Sequence, residues 1–335
     1  MPPKPPVLAD VARLAGVSHQ TVSRVVNGHP NVSNGTRSRV ESAISALGYR
    51  PNAAARSLAT GRTHSIGVVA GELGQFGPSK MLVGIQAAAR EAGYTVNIVA
   101  LKDYSVETVH EAVDSLLHHG VEALAAIAPH TSALQALTRI STGVPLATVG
   151  GTTGAGASVA ADQEQGTEAA VRHLVSLGHR RIAHLAGPLD WTDASRRRES
   201  WERALRAAGL EPAQVLNGDW SAGSGYQAGL DFDLASGTTA VFASNDQMAL
   251  GFMKALRERG CVVPADFSVV GFDDVPEAAF YEPSLTTVRQ DFETVGRSCV
   301  QHLLGQLSSN GRAFPLLVPS TLVLRASTAA PPASA

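Results

Sequence analysis

The densest set of chemically capable side chains in this 335-residue chain is the run Ser18-His19-Gln20-Thr21-Val22-Ser23-Arg24-Val25-Val26-Asn27. On a helix, Val22, Val25 and Val26 form one apolar stripe and leave His19, Gln20 and Arg24 to read a groove. A glutamine amide matches the edge of adenine and a guanidinium that of guanine, each good pair discriminating by about 1–3 kcal/mol. Ser18, Thr21, Ser23, Asn27 and Asn31 supply hydroxyls and amides that hold a phosphate backbone without reading sequence. The chemistry expected here is recognition of double-stranded DNA. A second set follows short apolar runs further along, where open α/β sheets bind ligands. Arg197, Asn245, Asp273 and Gln290 can bond vicinal hydroxyls, while Trp220 and Phe292 offer faces for the C–H side of a sugar ring. Singly, such an Asp or Arg is more often a cap or a surface ion pair, and such a Trp more often core. Together they suit a carbohydrate better than an apolar drug or a nucleotide phosphate.

Elements must hold the first set in place. Leu8, Val11, Ala12 and Ala15 recur at three- and four-residue steps and predict one helix. Gly16 can end it in the left-handed conformation, and Ser18 can cap the next, which gives the tight turn of a helix-turn-helix. A third stripe, Val40, Ile44 and Leu47, follows Ser33-Asn34-Gly35-Thr36 and closes a small core before Gly48. Charge agrees with this reading. In residues 1–63, eight Lys or Arg stand against Asp10 and Glu41, a net +6, and the remainder carries −8. A basic head on an acidic body is the footprint of nucleic-acid binding. Because one such head reads a half-site, paired heads on a twofold axis predict a homodimer. The stretch Ser79 to Ala92, with Met81, Leu82 and Ile85, is a candidate interface helix, although core packing explains it equally.

Beyond His64, short apolar runs alternate with amphipathic stretches, the pattern of parallel sheets covered by helices. Strands are predicted at 65–70, 95–100, 123–128 and 145–150, with helices at 79–92, 105–119 and 132–141 between them. The alternation resumes with 164–177, 182–186, 194–208, 240–243, 246–259 and 267–271, and the runs 216–219 and 285–289 read as further strands. The fold class expected is an all-α helix-turn-helix head on an α/β body of two doubly wound parallel-sheet lobes. About 270 residues suffice for two such cores.

Catalysis finds little support. No Gly-x-Gly-x-x-Gly follows the first strand and no Gly-x-x-x-x-Gly-Lys-Ser occurs, so neither dinucleotide nor triphosphate binding is signalled. Asp273-Asp274 lacks a His or further carboxylate at ligand spacing, and His118-His119 reads as a solvated helix end. Cys261 and Cys299 have no motif partners, which excludes a disulfide framework or zinc site and fits a reducing cytoplasm. No catalytic residue, metal or cofactor is expected. The start, Met1 to Pro6, has no apolar signal core, and no run approaches the ~20 apolar residues of a membrane span.

Several motifs resemble the lactose-repressor (LacI/GalR) family of bacterial transcription regulators. They are Leu8-Ala9-Asp10-Val11-Ala12, Ala15-Gly16-Val17-Ser18, Thr21-Val22-Ser23-Arg24-Val25-Val26-Asn27 and Gly48-Tyr49-Arg50-Pro51-Asn52. In the body, Gly218-Asp219-Trp220-Ser221, Asn245 to Gly251, Ser268 to Asp274 and Leu285 to Phe292 are similar too, so the likeness runs from Leu8 to about Arg325. His19 departs, standing where the family's namesake has an aromatic residue. The resemblance implies a body of periplasmic-binding-protein type and a hinge helix around Asn52, Ala55 and Leu58, whose leucine enters the DNA minor groove. It also implies that Arg197, Trp220, Asn245, Asp273, Gln290 and Phe292 contact a sugar effector. Gly150 and Gly71 replace an Asp and a Ser that contact effector in the namesake, a loss for which Asp193, Trp191 or Gln75 could compensate.

The resulting expectation is a cytoplasmic, dimeric repressor of sugar-utilisation genes, released from a palindromic operator by a small sugar, a galactoside being one option. Its alternatives are a regulator whose ligand strengthens DNA binding, and an enzyme or sensor with an N-terminal interaction module. The domains expected are a disordered arm (1–6), the head (7–50), the hinge and linker (51–63), the two-lobed body (64–326) and a disordered tail (327–335). No C-terminal heptads follow the body, so the assembly is expected to stop at a dimer.

Overall fold

A computed structural model of the chain describes residues 6–26, 28–49, 57, 61–150, 157–308 and 315–332. The chain divides between His64 and Ser65 into two compact units, a head and a body. The expected base or backbone contacts Asn27, Asn52, Ala55 and Leu58 lie outside the described residues, as do positions 1–5 of the arm.

The head contains α1 (Leu8–Ala15), α2 (His19–Val26) and α3 (Asn34–Leu47). Gly16 ends α1 at φ 63°, a conformation that glycine adopts without steric cost, and its N–H reaches the carbonyls of Ala12 and Arg13. Two residues on, the Ser18 hydroxyl accepts the Thr21 N–H at 3.2 Å and caps α2. Ser33 caps α3 in the same way through Thr36. Val11, Val22 and Val40 are fully buried and, with Ala12, Ala15, Val25, Ala43 and Tyr49, form a core of its own for this unit.

The body consists of two sheets. In the first lobe, β1 (Ser65–Ala70), β2 (Thr95–Ala100), β3 (Ala123–Ile127), β4 (Leu146–Val149), β5 (Ala157–Ala161) and β11 (Pro315–Val318) pair in parallel in the order β11-β5-β4-β3-β1-β2. One face is covered by α4 (Phe76–Glu91) and α11 (Phe292–Leu307), the other by α5 (Val106–His118) and α6 (Thr131–Thr138). In the second lobe, β6 (Ile182–Ala186), β7 (Val215–Asn217), β8 (Ala240–Ala243), β9 (Ser268–Asp273), β10 (Thr286–Arg289) and β12 (Thr321–Val323) are ordered β12-β10-β9-β8-β6-β7. Only the β10–β12 pair is antiparallel among the described strands. Helices α7 (Gln163–Ser176) and α8 (Thr192–Ala207) cover one face, α9 (Ala222–Asp231) and α10 (Asp246–Glu258) the other. Central strands are buried on both faces, which is why they read as continuous apolar runs.

Sequence expectations and structure differ at four places. Helix α4 begins at Phe76, three residues early, because Pro78 falls in its first turn, where a missing N–H costs nothing. The apolar stripe of α4, read equally as interface or core, is core at Met81 and Ile85, which are buried in the first lobe against α11, while Leu82 packs on that core and is only partly buried. Helices α9 and α11 and strands β5, β11 and β12 were not expected. The supposed tail is packed as far as the described residues run. Ser327 is fully buried, its hydroxyl accepting the Thr286 N–H at 2.8 Å and donating to the Val269 carbonyl at 2.6 Å, and the Ala329 carbonyl lies 2.9 Å from His179 Nε2.

Helices α9 and α10 touch backbone to backbone. A Cβ on Gly251 would overlap the Ala222 carbonyl, and one on Gly225 the backbone of Met248. Gly251→Val is therefore expected to destabilise the body by about 3 kcal/mol, since overpacked cores cost about 1–3 kcal/mol and rigid backbone cannot yield. Chemical denaturation of the full chain measures it, and an unchanged midpoint would contradict this close packing.

Candidate DNA-reading face and effector cavity

In the head, capping by Ser18 and burial of Val22 and Val25 fix which face of α2 points outward. His19, Gln20 and Arg24 are exposed there, with Thr21 and Ser23 half-buried beside them and Asn31 exposed on the following loop. The Ser18 and Thr21 hydroxyls lie 2.9 Å apart and share a hydrogen.

In the body, the chain passes between lobes three times: from β5 to α7, from β10 to α11, and from β11 to β12. Between the lobes lies a cavity. Gln75, Asp193, Arg197, Trp220, Asn245, Asp273 and Phe292 all line it, joined by Trp191 and Gln247. Gln290 does not line the cavity. It is buried behind the wall, where its amide donates to Asp273 Oδ1 at 2.6 Å. That placement follows from its position on the second crossover, just past the end of β10.

The wall is held by a closed circuit of buried polar groups. Gln163 Nε2 donates to Gln290 Oε1 at 2.8 Å, Arg197 Nε donates to Gln163 Oε1 at 2.8 Å, and Arg197 Nη2 lies 3.7 Å from Asp273 Oδ1. Arg197 also bonds the Ser244 carbonyl and lies over the rings of Phe272 and Trp220, at 4.0 and 5.6 Å from their centroids. Two crossovers, through Gln163 and Gln290, are thus tied directly to cavity side chains. Asn245 is committed as well, capping α10 through the Met248 N–H and donating to the Trp220 carbonyl. Trp220 and Asp273 sit at φ 74° and φ 105°. Such backbone costs on the order of 1–3 kcal/mol per residue and persists where surroundings over-determine it, commonly at functional sites.

Burial raises both cavity carboxylates to about 6, against the opposing pull of the Arg197 guanidinium. Asp274, by contrast, faces away and pairs with Arg289 and Arg325 at 2.6 and 2.5 Å, so the Asp273-Asp274 couple is split between a cavity and an ion-pair network. Among the described residues, no group of three His, Cys, Asp or Glu is placed to hold a metal.

Sequence reasoning missed Gln163, Tyr104 and His130. Tyr104 and His130 stack with centroids 3.7 Å apart, His130 reaches Trp191 of the second lobe at 5.2 Å, and Trp191 meets Trp220 at 5.3 Å. His130 Nδ1 lies 3.2 Å from Asp190 Oδ2, and the Thr131 N–H donates to the Asp190 carbonyl, so this stack straddles the lobes. The only sequence signal was Gly71, a residue with no Cβ: a side chain there would collide with the Tyr104 ring.

Comparison with known proteins decides the family. Residues 7–52 match the bacterial regulatory proteins of the lacI family, and residues 171–328 match a periplasmic binding protein-like domain. The lactose operon repressor of Escherichia coli (strain K12) is 41% identical over 344 residues, covering 98% of this chain and 92% of that one. The chain belongs to the LacI family of bacterial regulatory proteins. A solved structure of the lac repressor dimer bound to operator and the anti-inducer ONPF matches this LacI-family chain with a TM-score of 0.90 and 39% identity, covering 98% of this chain and 100% of that one. A CelR–cellobiose complex matches with a TM-score of 0.70 and 31% identity, covering 96% and 99%. As a LacI-family member the chain is a DNA-binding transcription regulator, not an enzyme. No helix of its described residues is long and apolar enough to cross a membrane.

Proposed function

We propose that the chain is a cytoplasmic repressor of sugar-utilisation genes that grips a near-palindromic operator as a homodimer and releases it when a small sugar fills the interlobe cavity. In this reading His19, Gln20 and Arg24 read bases, Ser18, Thr21, Ser23, Asn27 and Asn31 hold phosphates, and Asn52, Ala55 and Leu58 serve the minor groove. Asp193, Arg197, Asn245 and Asp273 take sugar hydroxyls, and Trp220 and Phe292 take ring faces. The observation that carries the proposal is the circuit Arg197–Gln163–Gln290–Asp273, which joins the cavity to two interlobe crossovers. A ligand that competes for Arg197 or Asp273 alters bonds that define how the lobes are set, and so biases a two-state body. Support from relatives is direct: one bears the lactose operon in its name, one is a dimer on operator DNA, and one holds cellobiose.

The test is fluorescence anisotropy of the full chain on palindromic DNA from its own upstream region, titrated with lactose, allolactose, galactose, melibiose, cellobiose and maltose. Release by one sugar is the expected result. Tightening by that sugar would reverse the sign, and no specific DNA binding would end the proposal.

A pH dependence follows. The folded pKa of Asp193 and of Asp273 lies above the usual 3.8, so the stability each contributes is complete below 3.8 and is lost as pH rises through about 6. A sugar hydroxyl donates to the ionised carboxylate, so sugar affinity rises in the opposite sense. It is expected to strengthen by roughly tenfold or more from pH 5 to pH 7, and Asp193→Asn should reduce that dependence without abolishing it, because Asp273 still titrates near 6. Calorimetric titration across that range measures it.

A further inference from the structure

Two lobes joined by covalent crossovers part most easily where the crossovers do not hold them, and the strand orders show where that is. The crossovers use β5 and β11 of the first sheet and β10 and β12 of the second, which stand at one end of each order. Toward the other end stand β3, β1 and β2 in the first sheet and β6 and β7 in the second. Tyr104 follows β2, His130 follows β3, and Asp190 and Trp191 follow β6, so the interlobe stack lies on the side away from the crossovers. Backbone reinforces it there. The Thr131 N–H donates to the Asp190 carbonyl at 3.1 Å and the Thr192 N–H to the Pro129 carbonyl at 2.9 Å, which makes His130 and Trp191 the partners of a single antiparallel bridge across the cleft. Pro129 and Trp191 also line the cavity, so the bridge is part of its wall.

We propose that Tyr104, His130 and Trp191 form a clasp that gates this cavity: the lobes pivot on the crossovers, and effector enters and leaves only when segments 129–131 and 190–192 separate. Two backbone hydrogen bonds, one His130–Asp190 contact and a ring stack hold the clasp, far less than the ladders of β3 and β6 behind it, so it opens locally while both cores stay folded. Every tie in it is made by the chain's own groups. It therefore closes over a filled or an empty cavity alike, and sets the rates of exchange more than the affinity. Gly71 admits the tyrosine: the three atoms nearest a Cβ built there all belong to Tyr104, the free end of a side chain, so a methyl at that position displaces the ring from the stack. The proposal rests on reading the interlobe cavity as the effector site.

Hydrogen exchange of the full chain, read by mass spectrometry on the peptides that hold Thr131 and Thr192, tests the clasp with no sugar added. Both segments are expected to exchange together, about tenfold or more faster than β3 and β6. Tyr104→Ala and Gly71→Ala should each speed both segments by a further tenfold or so while β3 and β6 keep their rates, and Tyr104→Phe, which retains the ring, should stay within about threefold of the parent. Combining Gly71→Ala with Tyr104→Ala should add less than about twofold, because both remove the same contact. Parent rates in the Tyr104→Ala chain overturn the clasp. Entry and exit are then timed by stopped-flow tryptophan fluorescence with each of the six sugars named above, since Trp191 and Trp220 line the cavity. For a sugar that binds, Gly71→Ala is expected to raise the association and dissociation rates together by about tenfold or more and to leave Kd within about threefold. Faster dissociation alone, with affinity falling in step, makes the stack a plain wall and overturns the gate. Binding by none of the six contradicts the sugar reading, and the exchange rates then decide the clasp by themselves.

Discussion

An Arg197→Met chain is expected to bind operator within about threefold of the parent and to resist release at every sugar concentration that releases the parent. Arg197 is 4% exposed and satisfies Gln163, the Ser244 carbonyl and Asp273 at once. Methionine matches much of its length and its packing on Phe272 but supplies no donor. Sugar affinity is expected to fall by at least a hundredfold, because hydrogen bonds from a buried charged donor are each worth about 1.5–3 kcal/mol. The body also loses stability, by about 3 kcal/mol, since removing one partner of a buried pair leaves the other uncompensated, and Asp273 answers by holding its proton to higher pH. Arg197→Lys should behave like the methionine variant in sugar binding, because an ammonium cannot reproduce the guanidinium fork. Anisotropy for DNA, calorimetry for sugar and denaturant melts separate these effects. A released Arg197→Met repressor would show that the effector does not engage this wall.

The second large effect lies in the head. Arg24→Ala and Gln20→Ala are each expected to weaken specific operator binding by about five- to a hundredfold and to relax discrimination at one base pair per half-site. Binding to unrelated DNA should change little for Gln20→Ala, since the amide carries no charge, and modestly for Arg24→Ala, which removes one cation. Both residues are exposed on a helix whose core is made by Val22 and Val25, so the variants should melt with the parent. Competition binding against every single-base variant of the half-site reads the effect directly. A uniform loss across all sites would assign these residues to phosphate rather than base contact.

Much of this was legible in sequence because local rules and global fold agreed. The Gly16 and Ser18 signals predicted the turn and cap that the head contains, and the valine stripe of α2 predicted its buried face. The rule that ligands lie beyond strand ends picked out Arg197, Asn245 and Asp273, all of which line the cavity. What escaped depends on contacts distant in sequence. Gln163 looks like any polar residue opening a helix, and its importance comes from meeting Arg197 and Gln290, 34 and 127 residues away. Ile127, Val149 and Met81 have the composition of core, so nothing local reveals that they also form a cavity wall. Helix α11 was hidden because its first residue, Phe292, was read as a strand-end aromatic, although it opens a helix that packs on α4. The C-terminal segment shows composition misleading in the other direction: an Ala- and Pro-rich run suggested disorder, yet Ser327 finds its partners in the ends of two buried strands.

The measurement that bears most directly on repression by a ligand-switched dimer is a thermodynamic cycle on the full chain. Sugar affinity is measured by calorimetry with and without saturating palindromic operator, and operator affinity by anisotropy with and without saturating sugar. Coupling between two sites is reciprocal, so the operator must weaken sugar binding by the same factor as the sugar weakens operator binding, a factor expected in the range of about 5 to 150. Equal sugar affinity in the presence and absence of operator would contradict the account.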